Sequence, residues 1–185
     1  MKYILPLLLA IFFNACSVKY NTETMAQIGT SSENKKIYNL QKAIENLSHD
    51  VNKKEAQTIA EISVLYSLEL ANRYELVFPP LFHNTLINMN VKERGLCYHF
   101  AQDLIKELKK QNLQTLELRW AVHDKKKYFE HSSVVVTAKN MSFEEGIVLD
   151  AWRDSGKLYW NYLKNDTRYN WKEDIKDSKY YGTVK

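Results

Sequence analysis

The stretch CYHFAQDLIKELKK, residues 97–110, decides what kind of fold this chain takes. Cys97, Phe100, Ala101, Leu104, Ile105 and Leu108 recur at intervals of three and four, which draws one apolar stripe along a helix. Gln102, Asp103, Lys106, Glu107, Lys109 and Lys110 fill the other side. The lysines gather at the end, where the helix dipole favours cations. The spacing predicts a helix over 97–110, with Cys97 at the N-terminal end of its buried stripe. That position suits either a small packing residue or a nucleophile.

Past this helix the apolar period drops from 3.6 to 2. Residues 115–122 (TLELRWAV) alternate, and so do residues 131–138 (HSSVVVTA). Residues 146–152 (GIVLDAW) and, beyond a turn at Asp154-Ser155-Gly156, residues 157–163 (KLYWNYL) complete four predicted strands. Short connections between them suit antiparallel neighbours.

Upstream, residues 34–49 place Ile37, Leu40, Ile44 and Leu47 on one helical stripe. Residues 53–74 form a denser helix, with apolar side chains on more than one face. Pro79-Pro80 closes it, and residues 82–89 form either a short helix or an irregular lead-in. The predicted class is α+β: N-terminal helices and the cysteine-bearing helix packed on one face of an antiparallel sheet.

Composition sets the outer bounds. The 185 residues suffice for one core, and a net charge of +4 with no long basic run gives no reason to expect a nucleic acid partner. Lys125-Lys126-Lys127 reads as a solvated loop tip. The first residues, MKYILPLLLAIFFNACS, carry one lysine, a short apolar run and a small-residue exit. That is the pattern of a secretory leader, and the run is too short to span a bilayer comfortably. Phe13-Asn14-Ala15-Cys16 resembles the lipobox of bacterial lipoproteins, which implies lipidation of Cys16; an ordinary secreted chain is the next reading. The expected organisation is a signal peptide over 1–15, a lipidated tether over 16–33 and one domain over 34–185. With Cys16 modified, Cys97 is the single thiol left in the domain. A lone thiol in an oxidising compartment is a liability unless it is buried or used.

Three residue types suited to thiol acyl chemistry then fall in order. Cys97 opens a helix, His131 opens a strand and Asp150 ends the next strand. Unpaired N–H groups at a helix start and a neighbouring imidazolium both favour a thiolate. A carboxylate behind the imidazole would fix its tautomer. Val148 and Asp150 share a strand face, and a carboxylate beside buried valine needs a hydrogen-bonding partner. The Cys97 N–H could form part of an oxyanion hole, with Asn84, Asn88 or Asn90 as the second donor. Each residue alone has a plainer reading: packing for the cysteine, a structural histidine, a turn aspartate. The ordered combination is what singles them out.

That order, in GLCYHFAQDLIKEL, EHSSVVVTA and GIVLDAW, resembles the core of the transglutaminase-like cysteine enzymes within the wider papain-like group. Gly95, Cys97, Phe100, Ala101 and Leu104 match its first motif, His131 the second, and Leu149-Asp150 the third. Ala151 stands where that family usually carries proline. The resemblance implies Cys97 as nucleophile, His131 as general base and acid, and Asp150 as orienter, with no metal or organic cofactor. Substrate contacts are expected from Tyr98, Trp152 and Asn88, although Tyr98 also suits a helix surface and Trp152 simple packing. Zinc at Cys97, His99 and His131 is disfavoured, because Cys-x-His on a helix does not put both ligands on one face. His99 is expected to point away from the Cys97 stripe. Arg153 and Asp154 are read as a turn or surface pair, and residues 166–185 as a surface wrap.

The expected function is acyl transfer at amide bonds through a thioester: peptidase, deamidase or transglutaminase-like. The substrate is expected to be a peptide or protein in the cell envelope, and the anchor to face the periplasm. Ser17 after Cys16 favours the outer membrane. The competing class is a non-catalytic envelope lipoprotein that uses the same cleft to bind a peptide or protein.

Overall fold

The computed structural model describes residues 31–127 and 129–183. The leader, Cys16 and all but the end of the expected tether lie outside them. The first helix, α1 (Ser31–Glu45), begins inside the stretch read as tether and stops before the predicted 49. Next come α2 (Lys53–Arg73), α3 (Pro80–Asn88) and α4 (Cys97–Lys109), and then β1 (Leu116–His123), β2 (His131–Ala138), β3 (Ile147–Asp150) and β4 (Tyr159–Tyr162). The chain continues into a two-residue strand, β5 (Lys172–Glu173), and a short helix, α5 (Ile175–Tyr181). The fold is α+β, with five α-helices and a five-stranded antiparallel sheet among the described residues.

Local chemistry sets the boundaries. Asn52 caps α2, its Oδ1 accepting the N–H of Lys54 at 2.8 Å and of Glu55 at 3.3 Å. Such a cap is worth about 1 kcal/mol. Glu55, in that first turn, accepts from Gln114 N at 2.8 Å and from the Thr115 hydroxyl at 2.7 Å. The start of α2 is thereby tied to the entry of β1. Pro80 stands in the first turn of α3, where its missing N–H costs nothing.

The sheet runs in the order β4-β3-β2-β1-β5. β2 is central and buried along its whole length. Its register sets His123 opposite His131 on β1, and Val134 opposite Leu149 on β3. Period-two alternation then sorts the strands into two layers. Leu116, Leu118, Trp120, Val134, Val136 and Leu149 face the helices, where Phe100, Leu104, Ile105 and Leu108 of α4 pack against them. Each such side chain contributes about 1.5–3 kcal/mol when fully buried. Ala121, Val135 and Val148 face the other way and are covered by Phe143 and Trp171 rather than by a helix.

The C-terminal segment is more than a wrap. β5 pairs with β1 at Ala121 and Val122. The Ser178 hydroxyl accepts the Trp120 N–H at 2.8 Å, and the Thr183 hydroxyl accepts that of Leu118 at 2.7 Å. This segment completes the free edge of β1 and supplies the second sheet face with its cover.

Candidate active site

Cys97 is the first residue of α4, half-buried, with its side chain against the helix-side core. The main chain leading to it is held from two directions by neutral imidazoles. Nδ1 of His83 accepts the Val77 N–H at 3.1 Å, so its Nε2 carries hydrogen and donates to the Arg94 carbonyl at 2.8 Å. Nδ1 of His99 accepts from Gly95 N at 3.2 Å and Leu96 N at 3.3 Å. Burial and then the Arg94 charge lower the His99 pKa to about 4, which suits an acceptor. Gly95 sits at φ +125°, and a Cβ there would overlap the His83 ring. The first position of the Gly-x-Cys pattern therefore has a steric cause. His99 lies folded back against the helix start, occupied by the backbone.

Asn88 is exposed at the C-terminal end of α3. Asn90 is also exposed, at φ +57°. Asn84, in contrast, keeps a buried Oδ1 without a hydrogen-bond partner. Gly95 and Leu96 have spent their N–H groups on His99, whereas Cys97 and Tyr98 lie in the first turn, where a helix offers their N–H groups no internal acceptor.

His131 and Asp150 meet on the far side of β2. His131 Nε2 donates to Asp150 Oδ2 at 2.7 Å, and the two residues are 3% and 1% exposed. The ring stands among Tyr169 at 4.6 Å, Trp152 at 4.9 Å and Trp171 at 5.2 Å between centroids. Its Nδ1 is buried without a hydrogen bond of ordinary geometry, and the Cys97 thiol is its electrostatic neighbour. The thiol donates weakly to the Glu130 carbonyl across 3.8 Å, one residue before the histidine. The three side chains converge at the entry end of β2, where helix-side and tail-side layers meet.

Burial opposes a charge on His131, and the Asp150 carboxylate outweighs it, raising the pKa to about 9. Burial would likewise raise the Asp150 carboxyl, but His131 and Arg153 lower it to about 2. At neutral pH the pair is an imidazolium beside a carboxylate.

Arg153 corrects the expectation of a turn or surface residue. It is buried, and its Nε donates to Asp150 Oδ2 at 3.0 Å. Its two terminal nitrogens donate to the Asp166 carboxylate at 3.1 and 2.6 Å. Tyr159 stacks on the guanidinium at 3.8 Å and Tyr169 at 4.6 Å. The N–H groups of Trp152 and Arg153 both donate to Asp150 Oδ1 at 3.1 Å. Asp150 is thus fixed on both oxygens, and Asp166 balances the arginine.

Asp166, Tyr169 and Trp171 come from the segment read as a wrap without chemistry, which the structure corrects. The signal available in DTRYNWKED was the two-residue spacing of Tyr169 and Trp171, which puts both rings on one face of an extended chain. Comparison with protein-family models, with curated proteins and with solved structures finds no match.

Proposed function

We propose that the chain is a cysteine enzyme that transfers acyl groups from amide bonds through a thioester, with Cys97 as nucleophile, His131 as acid and base, and Asp150 as orienter. The transglutaminase-like core and an anchor through lipid on Cys16, facing the periplasm, belong to the same proposal. Its substrate class is a peptide or protein of the cell envelope. The observation that carries it is the His131–Asp150 hydrogen bond, which occupies one ring nitrogen and leaves the other to the Cys97 thiol.

The geometry suits one sequence of steps. The ionised sulfur adds to the amide carbon, and the oxygen charge falls within reach of the N–H groups at the start of α4. His131 passes its proton to the leaving nitrogen, the C–N bond breaks, and an acyl thioester and a free amine result. Water or an amine then attacks the thioester, giving its proton to His131, and the sulfur leaves. Asp150, pinned by Arg153 and two backbone N–H groups, holds the ring throughout.

Alkylation by iodoacetamide, followed at Cys97 by peptide mass spectrometry, tests the reading. The expected rate holds up at pH 6 and falls at least tenfold in His131→Ala, as a lost imidazolium requires. A rate indifferent to His131→Ala would leave the cleft as a binding site for a peptide or protein and end the catalytic reading.

A further inference from the structure

A cavity of about 230 Å³ lies between α4, α5 and the helix side of β1 and β2. It adjoins the thiol on three counts. Tyr98, in its wall, follows Cys97; Glu130, also in its wall, accepts the thiol hydrogen; Ser132 follows His131. Trp120 and Tyr181 give it aromatic sides, with ring centroids 5.1 Å apart.

Its polar lining has one sign in excess. Glu130, Asp174 and Asp177 face one lining lysine, Lys125, which is paired with Asp174; Lys176 acts on Asp177 from outside the lining, and the Glu130 carboxylate accepts the Lys126 N–H. Burial, and then the neighbouring Asp174 charge, hold the Asp177 carboxyl above its ordinary range. A second observation is independent of charge. Ser132 is 3% exposed and lines the cavity, yet its hydroxyl takes part in no hydrogen bond among the described residues. A hydroxyl that opens on the cavity without a protein partner and the neighbouring carboxylates are both matched by a ligand that donates hydrogen bonds and carries positive charge. An anion would be repelled, and a purely apolar group would leave Ser132 unpaired. Aromatic walls add cation–π attraction for an ammonium. With a water occupying roughly 30 Å³ of liquid, the volume admits a short alkyl chain ending in an ammonium.

We propose that this cavity is a specificity pocket for a substrate group bearing an ammonium, either a lysine-type side chain or a free amino terminus. The assignment rests on Cys97 being the nucleophile. The ammonium is held rather than consumed: while protonated against carboxylates it has no lone pair with which to attack a thioester. The pocket therefore selects the acyl donor.

The test uses the full chain and three methanethiosulfonate reagents, methyl (neutral), aminoethyl (cationic) and sulfonatoethyl (anionic), each reacting with Cys97 to give a mixed disulfide and a sulfinate. Relative to the same reagents with glutathione, the aminoethyl reagent is expected to outpace the methyl one at Cys97 by about tenfold, and the sulfonatoethyl reagent to be slowest, as net attraction over a few ångströms requires. Asp177→Asn and, separately, Ser132→Ala are expected to cut the cation advantage several-fold and leave the methyl rate unchanged. Equal ratios for cation and neutral, or an advantage that both variants retain, overturn the pocket. Protection of Cys97 by Nα-acetyl-lysinamide but not glycinamide assigns the side-chain source, and the reverse assigns the amino terminus. Protection by neither also overturns it. The methyl rate in His131→Ala reports on the catalytic pair separately, so failure of that reading and failure of the pocket are distinct results.

Discussion

Oδ2 of Asp150 receives the Nε2–H of His131 at 2.7 Å and the Nε–H of Arg153 at 3.0 Å. One buried carboxylate oxygen thus holds the imidazole on one side and a guanidinium on the other. Asp150→Asn substitutes an amide that has half the acceptor capacity and no charge. The expected outcome is a Cys97 alkylation rate at neutral pH roughly tenfold or more below wild type, with the folded far-UV spectrum kept. A variant as reactive as wild type would detach Asp150 from the thiol.

Arg153 makes a different prediction, about stability. Arg153→Met leaves Asp150 and Asp166 buried without their shared partner, at a cost of about 3–5 kcal/mol. Adding Asp166→Asn removes one of the stranded charges, so the double variant is expected to regain part of the loss. Urea unfolding of the two singles and the double measures this. Strict additivity of the two singles would mean the residues do not act as a pair.

The histidines predict a stability maximum near pH 6.5. His131 has its folded pKa raised to about 9, so its stabilisation is complete below the unfolded value and fades as pH rises through 9. That limb is at most on the order of 3 kcal/mol. His99 is lowered to about 4, so the fold resists its protonation and loses stability as pH falls from 6.5 through 4. Asp150, lowered to about 2, adds a further loss as pH falls from the ordinary carboxylate range through 2. Melting temperatures across pH should show the peak; His131→Ala should flatten the alkaline limb and, because His131 also holds the Asp150 carboxyl down, make the Asp150 part of the acid limb shallower while leaving the His99 part in place. An alkaline limb that persists in that variant would refute the assignment.

Gly95→Ala should fail twice over. The left-handed φ costs about 1–3 kcal/mol for a residue with a Cβ, and that Cβ meets the His83 ring. Thermal melting should register the loss, and Cys97 alkylation should slow because the helix start moves. His83→Gln, which keeps one donor and one acceptor, is expected to retain more of both readouts than His83→Ala. Equal losses in the two would mean that packing, and not the hydrogen bonds to Val77 and Arg94, is what His83 supplies.

Much of the fold was legible because its signals are periodic. The stripe of α4 and the alternation of β2 bracket the observed elements closely, and β3 and β4 lie inside the predicted strands. The meeting of Cys97, His131 and Asp150 follows from that topology. What surrounds them did not show in the sequence. Arg153 looks like a surface residue by composition, and only the Asp166 and Asp150 carboxylates, brought from either side, make its burial tolerable. The Tyr169–Trp171 wall is two rings in a charged, aperiodic segment, whose partners lie on a strand far upstream. His83 and His99 are likewise tertiary: nothing in their local spacing says that both close on one loop.

Tyr169 and Trp171 follow His131 by more than a whole hairpin of chain, and Asp166 follows Arg153 by the length of β4 and its flanking turns. A growing polypeptide therefore carries its thiol, imidazole and carboxylate before it carries the aromatic rings that cover them. The order of synthesis leaves the histidine–aspartate pair open to water until the C-terminal segment packs on it, so closure of the site waits on the last part of the chain to be made.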